Sequence, residues 1–351
     1  MPTGNLSVTT FVIVSIVKIV VFIGVLLTGV AYTVWLERKV VGHIQNRWGP
    51  TRVGPFGLLQ PLADGLKFIF KEDLTPPYVH KFLYILAPML SLTTALISIC
   101  LIPVGGNITV AGVTTPIQIT DTNISLLIIL GITSIGVYGV ALAGWSSNSK
   151  YSMLGSLRAS AQMISYEVAL GLSLIGVLMV TGSFSLRAIV EHQAGGFWNW
   201  NVFLGGGQFV AFFIYLCAAY AETNRIPFDL PEAETELVAG YHTEYSSMKF
   251  AMFFMAEYAN MVTVACLASI LFLGGYNGPT FSGFLPPILS SLMPVFWFLV
   301  RVVFFLFVYI WVRGTLPRFR YDQLMAFSWK FLLPLSLANL MITGLVVALR
   351  A

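Results

Sequence analysis

Long apolar runs separated by short polar stretches set the pattern of this chain. The runs are Phe11–Leu36, Phe82–Val104, Ile124–Trp145, Ala161–Val180, Phe209–Ala221, Phe250–Leu273, Leu289–Val312 and Met325–Leu349. Most hold about 20 residues, the length an α-helix needs to cross a bilayer. The pattern predicts about eight membrane helices, near 11–36, 82–104, 124–145, 161–180, 207–222, 250–273, 289–312 and 325–349. The fifth reaches that length only if Gly207 and Glu222 are counted in. No basic segment or small-residue cleavage site accompanies the first run, so it reads as a retained membrane helix.

One stretch has a different period. From Phe56 to about residue 72, Gln60, Asp64, Lys67 and Lys71 recur at helical spacing, with Leu59, Leu62, Leu66, Ile69 and Phe70 on the other face. Gly49-Pro50 and Gly54-Pro55 separate it from the first run. It is too short and polar to span. It predicts an amphipathic helix, lying in the membrane interface or covering other helices of the chain.

Composition fits this picture. Of 351 residues, 57% are hydrophobic and only 10% charged. Soluble domains carry about a quarter charged residues, so the chain reads as a single all-α polytopic membrane domain. Nucleic acid is not implied by the net charge of +4. Cys100, Cys217 and Cys266 fall in apolar runs without a CxxC pair, and four histidines lie scattered. These exclude a disulfide framework and give no metal-ligand spacing. With the Glu37-Arg38-Lys39 end of the first run in the cytoplasm, fifteen of the nineteen Lys and Arg fall on the cytoplasmic side. Eight spans then leave both termini outside. Lys18 and Arg301 fall within spans, and Lys18 is expected to snorkel to the nearer interface.

The acids are concentrated. Glu222, Asp229, Glu232, Glu234, Glu236, Glu244 and Glu257 occupy one stretch that offers only Arg225 and Lys249 as local partners. As a solvated loop, residues 222–249 need no further explanation. Glu257 does, because it lies within an apolar run, and so does Glu167 in SYEV. Acids inside a membrane are costly and mark ion or proton paths. Pro227 and Pro231 prevent one continuous helix through the loop. Glu232 and Glu236 share a face if the chain is helical beyond, and require a proton or a basic partner such as Arg225, Arg313, Arg318 or Arg320. Phe228, Tyr241, Tyr245, Phe253, Phe254 and Tyr258 crowd the edges. They read as an interfacial aromatic belt, or as walls for a flat apolar ring such as a quinone.

ERKVVGHIQNRWGPTRVGPFGLLQPLADGLKF, SYEV, AETNRIPFDLPEAETELVAGYHTEY, FFMAEY and PRFRYDQLM resemble the signature segments of the H-type membrane subunit of the proton-pumping NADH–quinone oxidoreductase, complex I. The resemblance runs along essentially the whole chain. It implies a membrane subunit that anchors the peripheral arm and builds much of the quinone chamber. The quinone tail would pass between the first and sixth helices and the amphipathic helix. Chamber residues implied are Glu37, Arg38, Lys39, Arg47, Asp64, Arg225, Phe228, Phe253 and Arg313. Implied coupling residues are Glu167, Glu222, Asp229, Glu232, Glu234, Glu236, Glu244 and Glu257. No cofactor is expected in this chain. Quinone is the substrate, and FMN and iron–sulfur clusters belong to partner subunits. Partners implied are the peripheral-arm subunits beside the terminal iron–sulfur cluster, small membrane subunits, antiporter-like subunits and lipid, in a bacterial inner membrane. The rival readings are the homologous membrane anchor of an energy-converting hydrogenase or formate hydrogenlyase, a purely structural anchor, and a stand-alone transporter. The absence of a visible inverted repeat weakens the last.

Overall fold

The computed structural model describes residues 8–110, 113–204, 207–229, 239–279 and 287–350. Its first helix, α1 (Val8–Ile44), runs 37 residues, well past the end of the apolar run. Nothing between Glu37 and Ile44 breaks a helix, so α1 continues for about two turns past that run. The chain then turns through Asn46, at φ +54°, toward Gly49-Pro50. Gly57 adopts φ +76°, and a β-carbon there would stand 2.2 Å from the carbonyl oxygen of Pro50. Only glycine fits that crossing.

The amphipathic helix α2 (Gln60–Phe70) follows and buries none of its residues. Leu62, Leu66, Ile69 and Phe70 are all exposed. Phe68 of α2 meets Phe250 at 6.1 Å between ring centres. The apolar face of α2 points away from the bundle, while its flank touches α1 and the later helix α8.

The remaining elements are α3 (Lys81–Ser98), a hairpin of β1 (Asn107–Val110) and β2 (Val113–Pro116), α4 (Ser125–Ser146), α5 (Lys150–Thr181), the short α6 (Leu186–His192), α7 (Gln208–Glu222), α8 (Ser247–Phe272), α9 (Pro287–Thr315), α10 (Tyr321–Phe327) and α11 (Leu333–Arg350). The strands pair antiparallel, Asn107 opposite Pro116 and Val110 opposite Val113. A π turn, Ser328–Leu332, joins α10 to α11. Pro334 explains it: its ring nitrogen cannot donate to the preceding turn, so the ladder widens just before it.

Among the described residues, seven segments are long and apolar enough to cross a membrane, α10 and α11 counting as one. The eighth apolar helix, α7, has 15 residues, about 22 Å at 1.5 Å per residue. That is shorter than a hydrocarbon core of about 30 Å.

Helix α5 begins at Lys150, eleven residues before its apolar run. Its first three turns are built from small residues that hydropathy scores as neutral. Ser152, Gly155, Ser156 and Ala159 are buried. A β-carbon on Gly155 would stand 2.8 Å from the Cα of Gly240. Close backbone approach, which small side chains permit, is what drives packing where lipid removes the hydrophobic advantage.

Helix α8 sits at the centre, against α1, α3, α7 and α9. Helix α5 packs between α4, α7 and α11. The two cations within apolar runs, Lys18 and Arg301, both find partners in connecting segments. Lys18 Nζ donates to Thr115 Oγ1 at 2.5 Å and to the carbonyls of Pro116 and Gln118 at 2.9 and 3.2 Å. Lys18 thus ends on the β1–β2 hairpin. Arg301 caps the end of α8 through the carbonyls of Gly275 and Asn277, and lies over the Trp200 ring at 4.9 Å.

Candidate functional site

The site grows from the end of α7. The Thr223 N–H donates back to Ala219 O at 3.2 Å, and Asn224 then turns left-handed at φ +49°. Asn tolerates that conformation better than most residues. The Phe228 N–H donates to Arg225 O at 2.7 Å, closing a tight turn. Arg225 therefore projects from a short rigid loop into the bundle, where only 6% of its surface is exposed.

A buried guanidinium needs compensating charge. Arg225 Nε stands 2.6 Å from Glu257 Oε1, and its Nη1 stands 3.4 Å from Glu37 Oε2. Glu37 comes from α1 and Glu257 from α8. Arg313, on α9, pairs with the other oxygen of Glu37. Two cations thus meet two carboxylates. Tyr258 completes the cluster twice over: its hydroxyl donates to Glu37 Oε2 at 2.9 Å, and its ring lies 4.0 Å from the Arg225 guanidinium. Cation–π contact of this kind strengthens on desolvation.

This cluster walls a cavity of about 520 Å³. Glu37, Arg38, Arg47, Arg225, Asp229, Glu257 and Arg313 line it, with Val34, Val41, Phe254, Ile226 and Tyr258 among the apolar and aromatic walls. The volume and mixed lining are those of a small-molecule site with a few polar handles. Arg38 is held at its rim by Asp64 of α2, at 2.7 Å. Gln60 Nε2 donates to the same Asp64 at 3.0 Å. Arg318 pairs with Asp229 at 3.2 Å.

Glu257 also faces a second void of about 40 Å³, which Glu222, Thr223, Phe253 and Asn260 share. Glu222 and Asn260 line a third, of about 20 Å³, with Thr133 and Thr263. Ser134, next to Thr133 on α4, donates to Glu167 of α5. Glu37, Glu257, Glu222 and Glu167 are thereby arranged as a line of acids leading away from the cavity.

Some expected residues lie elsewhere. Lys39 is over the Trp35 ring at 5.9 Å and does not line the cavity. Phe228 is buried between Tyr166 and Phe319, each ring centre 5.6 Å away. Phe253 faces the second void, and Phe254 takes the place expected for it on the cavity wall. Glu244 lies in the loop before α8, where it accepts from the Tyr78 hydroxyl at 2.7 Å. That bond to an anion raises the phenol's pKa. Of the acids on the loop, Glu232, Glu234 and Glu236 lie outside the described residues. Tyr258 and Phe254, two of the aromatics whose readings include a wall for a flat ring, line the cavity. Asn224, Gln45 and Val41 also line it, and no sequence signal marks them. Among the described residues, no group of three or more His, Cys, Asp or Glu could hold a metal ion.

The chain is 75% identical to the H-type subunit 2 of the NADH-quinone oxidoreductase of Koribacter versatilis, over 98% of this chain and 99% of that one. It is 52% identical to the H-type subunit 1 of the same enzyme in Solibacter usitatus, over 97% and 98% of the two chains. The H-type subunit 1 from Geobacter sulfurreducens is also 52% identical, over 95% and 94%. The family model described as NADH dehydrogenase matches residues 17–344. The chain therefore belongs to the NADH dehydrogenase family, as an H-type membrane subunit of NADH–quinone oxidoreductase.

Proposed function

We propose that the 520 Å³ cavity is part of the quinone chamber, and that this chain couples quinone reduction to proton translocation. The observation that carries the reading is Arg225, a cavity-wall cation shared between Glu37 and Glu257. The quinone tail would pass between α1, α2 and α8, which touch one another pairwise beside the cavity. Electrons would come from an iron–sulfur cluster in a peripheral-arm subunit, with FMN farther along that arm. This chain supplies binding, orientation and charge.

Reduction of quinone to quinol takes up two electrons and two protons, and so changes the charge balance at the cavity wall. Arg225 is placed to respond, because any shift toward Glu37 weakens its hold on Glu257. Glu257 faces the void that Glu222 shares, and each void has room for water. A proton change at Glu257 can therefore pass to Glu222 and toward Glu167. Such interacting carboxylates titrate as a group. The change would continue into the small membrane subunits and antiporter-like subunits. The excess of basic residues around the Arg225 side supports a cytoplasmic placement of that side, in a bacterial inner membrane with both termini periplasmic. That face would anchor the peripheral arm, with Asp229, Glu232, Glu234 and Glu236 in the responding loop.

The test uses Glu257→Gln and Glu167→Gln in the assembled enzyme, in sealed vesicles. The expected result is quinone reduction with fewer protons moved per electron pair. Normal pumping stoichiometry in both variants would end the relay reading.

A further inference from the structure

Gln162 lies on α5, with 0% of its surface exposed, and lines none of the three voids. Its side-chain nitrogen stands 2.9 Å from Ala221 O, 3.1 Å from Asn224 Oδ1 and 2.8 Å from Phe228 O. Two of these are backbone carbonyls, which only accept. That requirement fixes which end of the amide faces the turn. The oxygen end has no partner among the described residues. The whole hydrogen-bonding role of this side chain is therefore to bracket one segment, Ala221–Phe228, at both ends.

Arg225 lies in the middle of that segment. One helical turn on, Tyr166 packs its ring against Phe228 and donates its hydroxyl to Leu324 O at 2.9 Å. Helix α5 thus presents one face to the turn, with Gln162 as its polar contact. An ion cluster in which one guanidinium meets carboxylates from two other helices tolerates little displacement.

We propose that Gln162 is a positioning residue for quinone reduction. By clamping Ala221 and Phe228 to α5, it sets the depth at which Arg225 meets Glu37 and Glu257 together. This rests on the cavity reading above, and adds a residue that acts only through Arg225.

The test uses the assembled, membrane-embedded enzyme and two assays. One is NADH–quinone reduction. The other is NADH oxidation by hexacyanoferrate, a soluble acceptor served by the peripheral arm alone. Gln162→Met keeps the length and removes the donors. It is expected to lower kcat/KM for quinone about tenfold, the order of one buried hydrogen bond, with the soluble-acceptor rate unchanged. Combined with Arg225→Gln, it should add nothing to the loss caused by Arg225→Gln alone. Gln162→Glu keeps the shape but turns an acceptor toward two carbonyls. Only its protonated form can donate, so its quinone activity should fall more steeply with rising pH than the parent's. That comparison is made within one preparation and survives poor assembly of the Met variant.

A change below twofold in Gln162→Met, losses that multiply in the double variant, or a parental pH profile in Gln162→Glu would each overturn the proposal. If Arg225→Gln itself left quinone kinetics unchanged, the cavity reading would fail instead.

Discussion

Arg225 Nε stands 2.6 Å from Glu257 Oε1, joining a loop to the middle helix of the bundle. The contact stands at the boundary between a cavity wide enough for a ligand and a small void that reaches Glu222. Removing the cation leaves two buried carboxylates with one fewer partner. Breaking one side of a buried pair typically costs about 3–5 kcal/mol.

Arg225→Gln is therefore expected to cut quinone reductase activity at least about a hundredfold, by the conversion of about 1.4 kcal/mol per tenfold. Arg225→Lys should do only somewhat better. Lysine keeps the charge but not the fork that addresses two carboxylates at once. Steady-state kinetics with a water-soluble quinone, normalised to the soluble-acceptor rate, makes the measurement. Parental kinetics in Arg225→Gln would remove Arg225 from the site, and parental kinetics in Arg225→Lys alone would show that charge without the fork suffices.

Tyr258 has two separable roles, and two substitutions separate them. Tyr258→Phe keeps the ring under Arg225 and loses the hydrogen bond to Glu37. A bond to a charged acceptor contributes about 1.5–3 kcal/mol. Tyr258→Leu loses both contacts. The expected order of quinone kcat/KM is parent, then Phe, then Leu. Equal losses in Phe and Leu would mean that the ring contact contributes nothing.

Much of the fold is written in the apolar runs, because lipid allows few alternatives to a long helix. The boundaries are less legible. Helix α5 starts early because serines, alanines and glycines pack by close approach, which no hydropathy window registers. The acids of the site were visible as costly exceptions to an apolar background. Their partners were not. Glu37 and Arg225 are 188 residues apart, and nothing local in either segment pairs them. Phe228 and Phe253, chamber residues implied by the resemblance, show how packing decides a side chain's place: one is buried under Tyr166 and the other turned to the second void. Gln162 carries no sequence signal at all. A single glutamine in a helix becomes informative only when its three acceptors are in place.

His242 gives a pH prediction outside the membrane spans. It sits in the short turn Gly240–His242, in edge contact with the rings of Tyr241 and Phe250. Burial pushes its pKa down to about 4. The unfolded segment has the ordinary value near 6.5, so between about 6.5 and 4 it is the open form that binds the extra proton. The turn's stability is thus complete above pH 6.5 and falls as the pH drops toward 4, by roughly 3 kcal/mol across the window. Hydrogen exchange of residues 239–249 in the intact complex should quicken between pH 6.5 and 5. His242→Phe should flatten that dependence. Equal pH dependence in the variant would assign the effect to another group.

Gly57 tests whether the position of α2 matters to the cavity rim. Its φ of +76° and the 2.2 Å approach to Pro50 O leave no space for a methyl group. Gly57→Ala must move either the Pro50 segment or the start of α2. The strain should fall on the start of α2, which is tied to α1 by the half-exposed Arg38–Asp64 pair, while its far end is held to α8 by Ser247 Oγ, which donates to the carbonyls of Phe68 and Lys71 at 2.9 Å. Exposed pairs of that kind contribute only about 0–1 kcal/mol, so the Gln60 end of α2 gives way to the clash before the end that Ser247 holds. The expected outcome is an assembled enzyme with parental soluble-acceptor activity, faster proteolysis between residues 49 and 60, and a raised KM for long-tailed quinone. A short-tailed analogue should be less affected, since α2 would guide the tail. If proteolysis quickens while both quinones keep their parental KM, α2 would be a membrane anchor with no part in quinone access.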